Sequence, residues 1–302
     1  MMHLGYGRAP GACGELVQGQ LENGHNFLVS LPIDLWSKAI VKIIADSTSK
    51  EIHVFPRHKI KTQQALRIAL NYLGYSQFMV DAQIISDIPE GKGLASSTAD
   101  ISAVCLALGD ALDLEISPTF ISNVARQIEP SDGTMFPDLV VYNHLNCELI
   151  EVLGQLPVFN VLIIDFGGEV DTLQYNQAQK LYTVKEKAEF QSALIQIKES
   201  IRTQDLFLLG QAAIQSGRIN QRFLPKPRLE EIIDSVIKHG AYGVCVAHSG
   251  TVAGVIYDPA VSISGLEQSL QENISGPLEF IETRTLQYKF QKSKIKENFN
   301  AF

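Results

Sequence analysis

The sequence predicts an α+β protein in two lobes. Segments with the β-branched content of strands alternate with segments of helical period, and neither a repeat nor a low-complexity linker interrupts them. Past Gly167 and Gly168 the helical segments become longer. A chain of 302 residues is long enough for two ordinary domains, each with its own core. We therefore divide it into residues 1–155 and residues 156–302.

In the first lobe, residues 4–57 are rich in β-branched residues, and Pro89 closes a later strand because proline cannot donate a ladder hydrogen bond. Gly74 has the position of a helix stop, and Ser117 followed by Pro118 that of a helix start. The predicted strands are 27–31, 36–44 and 79–86, and the predicted helices are 65–73, a helix from Ser96 or Ser97 to residue 112, and 118–128.

In the second half, apolar runs of four to eight residues predict strands and longer amphipathic stretches predict helices. The predicted strands are 139–142, 148–152, 158–165, 244–247, 252–257 and 278–281. The predicted helices are 182–201, 205–216, 229–239 and 263–270.

Composition restricts the partners of the chain. A net charge of -8 argues against broad binding to nucleic acid or to an anionic membrane, and no run of about 18 apolar residues is present. The four cysteines are far apart, without the spacing of a zinc site, and fit reduced thiols. We expect a cytoplasmic protein with neither a nucleic-acid nor a membrane partner, and a solvated basic tail at residues 289–296.

Residues 90–97 form a small-residue loop between a strand and a long helix. Gly91 and Gly93 allow close backbone approach, and Ser96 or Ser97 can cap the helix. The free N–H groups of a helix start attract a phosphate, and Lys92 adds a positive charge. The glycine spacing matches neither the Walker nor the Rossmann fingerprint. From the loop alone, an anion site and an ordinary capped turn remain open.

Three separated stretches coincide with one family pattern. Residues 8–19 are Arg-Ala-Pro-Gly-Ala-Cys-Gly-Glu-Leu-Val-Gln-Gly, and residues 89–98 are Pro-Glu-Gly-Lys-Gly-Leu-Ala-Ser-Ser-Thr. With the glycine-rich residues 243–254, they resemble in order and spacing the three motifs of the GHMP kinases, the superfamily of galactokinase, homoserine, mevalonate and phosphomevalonate kinases. The resemblance implies a ribosomal S5-like β/α lobe followed by a ferredoxin-like α/β lobe.

Within the superfamily, the chain looks most like the L-threonine kinase branch. That resemblance implies transfer of phosphate from ATP, with Mg²⁺, to the hydroxyl of L-threonine, a small amino acid, giving O-phospho-L-threonine for the aminopropanol linker of cobalamin. Leu16 stands where many members have histidine, which puts a sugar substrate in doubt. Homoserine kinase, another GHMP small-molecule kinase and a noncatalytic ligand-binding member stay as alternatives. The oligomeric state is open, with a homodimer as one option.

The resemblance also implies a set of nucleotide-binding residues. Ala95 replaces a glycine of the family loop and therefore asks for an ordinary backbone angle. The residues expected at the triphosphate are Pro89, Glu90, Gly91, Lys92, Gly93, Leu94, Ala95, Ser96 and Ser97.

For the metal and the acceptor hydroxyl, the resemblance implies oxygen ligands and an acid. Ser97 is expected to hold Mg²⁺, with Asp100 on the same helix face and Glu129 as further candidates, although each also suits a helix end. Asp132 is expected to accept or orient the hydroxyl proton. An Asx turn is the structural alternative for Asp132, and Asp138 is the alternative acid.

The first and third motifs supply the remaining candidates. Arg8 is expected near the γ-phosphate, where a planar cation stabilises transferring charge. Glu15 and Gln18 are candidates for the substrate, and the carboxylate of Glu15 would suit an ammonium group. His248 and Ser249 are expected to support the nucleotide loop or the substrate.

Overall fold

One sheet runs through both halves of the chain. The computed structural model describes residues 2–44, 49–170, 175, 180–273 and 278–285, so the predicted basic tail lies outside the described residues. The strands are β1 Met2–Gln20, β2 Asn26–Ile44, β3 Ile52–Phe55, β4 Met79–Ser86, β5 Leu139–Asn143, β6 Glu148–Gly154, β7 Asn160–Asp165, β8 Gly243–Val246, β9 Val252–Tyr257 and β10 Glu279–Arg284.

The strand order is β10-β7-β9-β8-β1-β2-β4-β3, and β5 and β6 branch from β2. The pair β3–β4 is parallel, and the other pairs are antiparallel. The helices are α1 Ile60–Leu73, α2 Ser96–Leu112, α3 Pro118–Ala125, α4 Val184–Thr203, α5 Leu206–Asn220, α6 Leu229–Lys238 and α7 Ser264–Asn273.

Helix α2 lies in the core of the first half. Its side chains are buried on nearly every face, so small residues, rather than an amphipathic stripe, decide where it can pack. A Cβ atom at Gly5 of β1 would lie 2.2 Å from the carbonyl oxygen of Ala107, and one at Gly7 would lie 2.2 Å from that of Ala103. These two glycines let the helix backbone rest on the strand, which fixes the position of its amino terminus.

The two halves meet along β1. This strand changes register between Pro10 and Val17, and there Glu15 pairs with Val246 of β8. In this irregular segment β1 keeps β2 on one side and gains β8 on the other, which places Glu15 at the junction of the halves. The larger buried cluster contains residues of both halves, and the sheet is continuous across the proposed division at residue 155, which stays a prediction.

Most predicted elements are present, with shifted ends. The strand Met79–Ser86 has the predicted bounds, while the strands predicted at 27–31 and 36–44 are one strand because Pro32 and Asp34 do not break β2. Helix α1 begins five residues earlier than predicted, and α3 ends at Ala125. All four cysteines are buried and free. None of the described helices is long and apolar enough to cross a bilayer.

The cap of α2 was predicted wrongly. Ala95 is the N-cap residue, without a side-chain capping bond, and Ser96 and Ser97 are the first helical residues. The φ of Ala95 is 56°, so this alanine adopts the left-handed angle that the family glycine would supply, and the predicted ordinary angle is wrong. Because neither serine is used as a cap, the hydroxyl of Ser97 is available for another contact.

Candidate active site

A pocket opens at the amino terminus of α2, at the junction of the two halves. It is bounded by the loop before α2, by the loop that follows α3 and by the bulged part of β1. The lining residues are Glu15, Gln18, Leu28, Gly91, Gly93, Leu94, Ala95, Ser96, Ser97, Glu129, Pro130, Ser131, Asp132, His144 and Ser249.

The loop before α2 is held from two sides. The backbone N–H of Ala12 donates to the carbonyl of Leu94 at 3.1 Å, and that of Thr251 donates to the carbonyl of Lys92 at 2.9 Å. The Lys92 ammonium pairs with Asp165 at 2.8 Å and donates to the carbonyl of Gly168 at 2.9 Å. Both halves of the chain therefore position the loop.

Ser97 and Glu129 contact each other directly in the pocket wall. The Ser97 hydroxyl donates to Oε1 of Glu129, and the Lys61 ammonium donates to Oε2 at 2.5 Å. Glu129 is 9% exposed, so its charge needs these partners. The pair offers hydroxyl and carboxylate oxygens, which are the donor types that Mg²⁺ prefers.

Asp100 lies one turn further along α2 and has two partners of its own. Ser37 donates to its Oδ1 at 2.5 Å, and the Lys59 ammonium donates to its Oδ2 at 2.6 Å. Lys59 also pairs with Glu90 of the loop at 2.6 Å. Asp100 therefore anchors a cation that holds the loop, and it does not line the pocket.

Asp132 shares the pocket with two other acids, Glu15 and Glu129, and the charges of both act on it. Ser30 donates to its Oδ1 at 2.8 Å, and its own backbone N–H donates to the hydroxyl of Thr98 at 3.2 Å. Loss of hydration, followed by the negative charge of Glu15, raises the pKa of Asp132 to about 7, while the Ser30 bond acts in the opposite direction. An acid in that range can take up and release a proton near neutral pH.

The raised pKa of Asp132 predicts a pH-dependent stability. An acid whose pKa is higher folded than unfolded costs free energy as it ionises, and that cost grows from pH 4 to pH 7. Asp132→Asn removes it, so thermal denaturation should show the variant more stable than the parent, by a margin on the order of 1–2 kcal/mol larger at pH 8 than at pH 5. An equal margin at the two pH values would contradict this.

Glu15 is held by the turn after β8. The backbone N–H of His248 donates to Oε2 of Glu15 at 2.8 Å, and Nδ1 of His248 lies 3.0 Å from the same oxygen. The hydroxyl of Ser216 contacts Nε2 of His248 at 3.2 Å and accepts from the backbone N–H of Gln18 at 3.1 Å. His248 thus fixes the orientation of the Glu15 carboxylate without lining the pocket itself. Ser249, the next residue in the sequence, lines the pocket.

The structure brings together most of the residues singled out in the sequence. Those that line the pocket are Glu15, Gln18, Gly91, Gly93, Leu94, Ala95, Ser96, Ser97, Glu129, Asp132 and Ser249. Those that lie outside its lining are Arg8, Pro89, Glu90, Lys92, Asp100 and His248. The guanidinium of Arg8 stacks 4.4 Å above the ring of Trp36, so its predicted catalytic role gains no support from this geometry.

Some functional candidates escaped the sequence analysis. His144 lines the pocket, with its Nε2 3.4 Å from the amide nitrogen of Gln18. Lys61 pairs with Glu129 of the pocket, and Lys59 pairs with Asp100 behind it. These three residues lie in segments with no motif of their own. No signal in the sequence could have found them.

Two family models match this chain. The GHMP kinases N terminal domain matches residues 60–136, which contain the loop and Asp132, and the GHMP kinases C terminal domain matches residues 197–275. The chain belongs to the GHMP kinases. This GHMP kinase is therefore an ATP-dependent phosphotransferase that acts on the hydroxyl group of a small molecule, and its predicted α+β two-lobed fold is confirmed.

Relatives of this GHMP kinase include L-threonine and homoserine kinases. It is 31% identical to the L-threonine kinase of Salmonella typhimurium over 83% of this chain and 82% of that protein. It is 25% identical to the homoserine kinase of Saccharolobus solfataricus over 77% of this chain and 78% of that one. The crystal structure of homoserine kinase from Cytophaga hutchinsonii shares the fold with a TM-score of 0.71 at 11% identity, covering 94% of each chain.

Proposed function

We propose that this kinase transfers the γ-phosphoryl group of ATP to the side-chain hydroxyl of L-threonine, giving O-phospho-L-threonine. The observation that carries the proposal is one pocket lined by Asp132, Glu15 and the loop of residues 90–97, which we call the phosphate loop. These parts suit a triphosphate, a hydroxyl and an ammonium group respectively. The 31% identity to an L-threonine kinase over most of both chains supports the choice of threonine. The product would then serve the aminopropanol linker of cobalamin, as the resemblance implies.

In this proposal the protein positions the reactants and balances charge. The free N–H groups at the start of α2 face the phosphates, because Ala95 begins the helix at the pocket wall. Asp132 takes the hydroxyl proton on Oδ2, since Oδ1 accepts from Ser30. Glu15, fixed by His248, receives the substrate ammonium. The hydroxyl is thereby presented between Asp132 and the loop.

Ser97 and Glu129 are the residues we propose for Mg²⁺. Their facing oxygens match the ligand chemistry of a hard cation, and Glu129 already requires a positive neighbour, the Lys61 ammonium. When bound, the ion would offset negative charge on the phosphates. Asp100 fits less well, because both of its oxygens have protein partners. Its role is better described as positioning Lys59.

Homoserine kinase is the second candidate, on the observation of 25% identity to such an enzyme over most of both chains. Threonine and homoserine share the ammonium and the carboxylate and differ in where the hydroxyl sits. The position of Asp132 relative to Glu15 must therefore discriminate between them.

A substrate screen tests the proposal. ADP release should be measured with threonine, serine, homoserine, ethanolamine, mevalonate and galactose, and we expect the highest kcat/KM with threonine. Because misplacing the hydroxyl by about 1 Å costs on the order of 100-fold in rate, homoserine should be clearly poorer. Preferred turnover of homoserine would replace the proposed substrate. Binding of threonine without ADP formation would favour a noncatalytic member of the fold.

A further inference from the structure

A cluster of nitrogen donors from the second half of the chain lies within the electrostatic influence of Glu15, behind the residues that line the pocket. Asn220, the last residue of α5, stands one helical turn beyond Ser216, whose hydroxyl contacts both Gln18 and His248. Residues four apart share a helix face, so Asn220 faces the same region. The members of this donor cluster are Lys180, Asn220, Gln221 and Lys226.

In each of the two side-chain amides of the cluster, the oxygen accepts a hydrogen bond, whereas the nitrogen has no partner among the described residues. The hydroxyl of Tyr175 donates to Oδ1 of Asn220 at 3.1 Å, and the backbone N–H of Lys226 donates to Oε1 of Gln221 at 2.6 Å. Nδ2 of Asn220 and Nε2 of Gln221 are buried without a partner among the described residues. Asn220 is only 2% exposed, and buried unpaired N–H groups are costly unless a ligand accepts from them.

The two lysines, Lys226 buried and Lys180 half-buried, have no carboxylate partner within the part of the chain that the structure describes. Lys226 is 4% exposed, and its ammonium has only a 3.5 Å contact to the carbonyl of Leu224. The Lys180 ammonium lies 3.7 Å from the centroid of the Tyr175 ring. Loss of hydration lowers the pKa of each lysine to about 8, and the charge of Glu15 acts in the opposite direction on both. Both cations therefore lie within the field of Glu15.

His144 connects the cluster to the pocket. It lines the pocket beside Gln18, and its Nδ1 is another buried nitrogen without a partner among the described residues. Burial, followed by the positive charge of Lys180, lowers the pKa of His144 to about 3, so the ring is neutral. The charge of the Lys180 ammonium is thus felt by His144, a residue that lines the pocket.

The chemistry of the cluster selects an anion. Its available groups are two ammonium groups and two amide N–H₂ groups, and all of them are donors. Glu15 is the acid whose charge acts on both lysines, and its carboxylate already accepts from His248. We propose that the donor cluster binds the α-carboxylate of the amino-acid substrate while Glu15 binds its ammonium group, an inference that rests on the proposed function. Adjacent sites of opposite charge match the two ends of an α-amino acid.

The test compares L-threonine with L-threoninamide, which keeps the hydroxyl and ammonium groups and lacks the negative charge. The parent enzyme should prefer threonine. Lys226→Met keeps the length of the side chain, and we expect it to raise the KM for threonine about 30-fold or more with little change in kcat or in the KM for ATP. The preference for threonine over its amide should fall by the same factor, a change that a merely structural role of Lys226 would not produce.

Two further variants keep the test decisive. Lys185→Met is the matched control, because that side chain is 85% exposed on α4, and its kinetics should equal those of the parent. Asn220→Asp preserves shape and adds a negative charge to the cluster, so it should raise the KM for threonine even if Lys226→Met fails to fold, which thermal denaturation will show.

Equal use of threonine and threoninamide by the parent would overturn the inference while leaving the proposed function intact. So would an unchanged KM for threonine in folded Lys226→Met. If homoserine is the preferred substrate, homoserine and its amide replace the pair and the same outcomes decide. If no amino acid is phosphorylated, the proposed function fails, and calorimetry with threonine then decides the inference: binding weakened by Lys226→Met supports the site, and absence of binding overturns it.

Discussion

Asp132→Asn should lower kcat by about 10²- to 10⁴-fold while the KM for ATP changes little. The amide preserves the shape and can still contact Ser30, which donates to Oδ1 at 2.8 Å in the parent. It cannot accept the proton that the acceptor hydroxyl must lose. The triphosphate site at the start of α2 is formed by other residues, so nucleotide binding should survive. Steady-state kinetics with both substrates varied will separate the two effects.

The matched control is Asp138→Asn. Asp138 is the alternative acid in the sequence and accepts from the Gln155 amide at 2.5 Å, away from the pocket lining. Its variant should retain the kcat of the parent. Equal kcat in Asp132→Asn and the parent would remove Asp132 from the chemistry. A large loss in Asp138→Asn alone would transfer the role to that residue.

The fold could be predicted because its signals are local. Each of three signals acts within a few residues: the apolar run that forms β4, the glycines before α2, and Ser117-Pro118 at the start of α3. The structure has all three elements. The strands predicted at 27–31 and 36–44 are joined because β1 pairs with β2 on both sides of Pro32 and with Pro32 itself, and this pairing with a long neighbour outweighs the local preference of one proline.

The backbone at Ala95 could not be predicted from its residue type. An alanine in the left-handed region costs free energy, and it persists only when the surroundings impose that angle. Here the loop is bonded to Ala12 on one side and to Thr251 on the other. Those contacts join segments more than eighty residues apart in sequence, and no local pattern encodes them.

The difference between local signals and long-range contacts also applies to the candidate active site. Ser97 and Asp132 belong to compact motifs, so sequence reasoning found them, although their catalytic roles remain predictions. Their surroundings are contributed by remote segments that carry no motif: Ser30 donates to Asp132, and Lys61 holds the Glu129 that Ser97 contacts. Asp100 is the reverse case: its place on the α2 face suggested a metal ligand, a role that stays a prediction, while both of its oxygens already contact Lys59 and Ser37. Helix periodicity predicts which face of a helix carries a side chain, but it does not predict which residue that side chain contacts.

Gly250→Ala should lower kcat/KM for ATP about 100-fold, the effect expected when binding groups move by about 1 Å. A Cβ atom at Gly250 would lie 2.2 Å from the carbonyl oxygen of Lys92 and 2.4 Å from Cα of Gly93, and both of these are backbone atoms that cannot rotate away. The third motif therefore supports the phosphate loop by direct backbone packing. A methyl group there must push the loop away from the turn and break the bond from Thr251 to the Lys92 carbonyl.

Gly265→Ala provides the control, because a Cβ atom there would come no closer than 3.9 Å to the His239 ring, and alanine favours a helix such as α7. Nucleotide affinity should be measured by calorimetry and folding by thermal denaturation, since the clash can also lower stability. The expected pattern is a folded Gly250→Ala protein with weakened ATP binding and an unchanged Gly265→Ala protein. Full ATP affinity in Gly250→Ala would show that the loop binds phosphate without the backbone contact to the third motif.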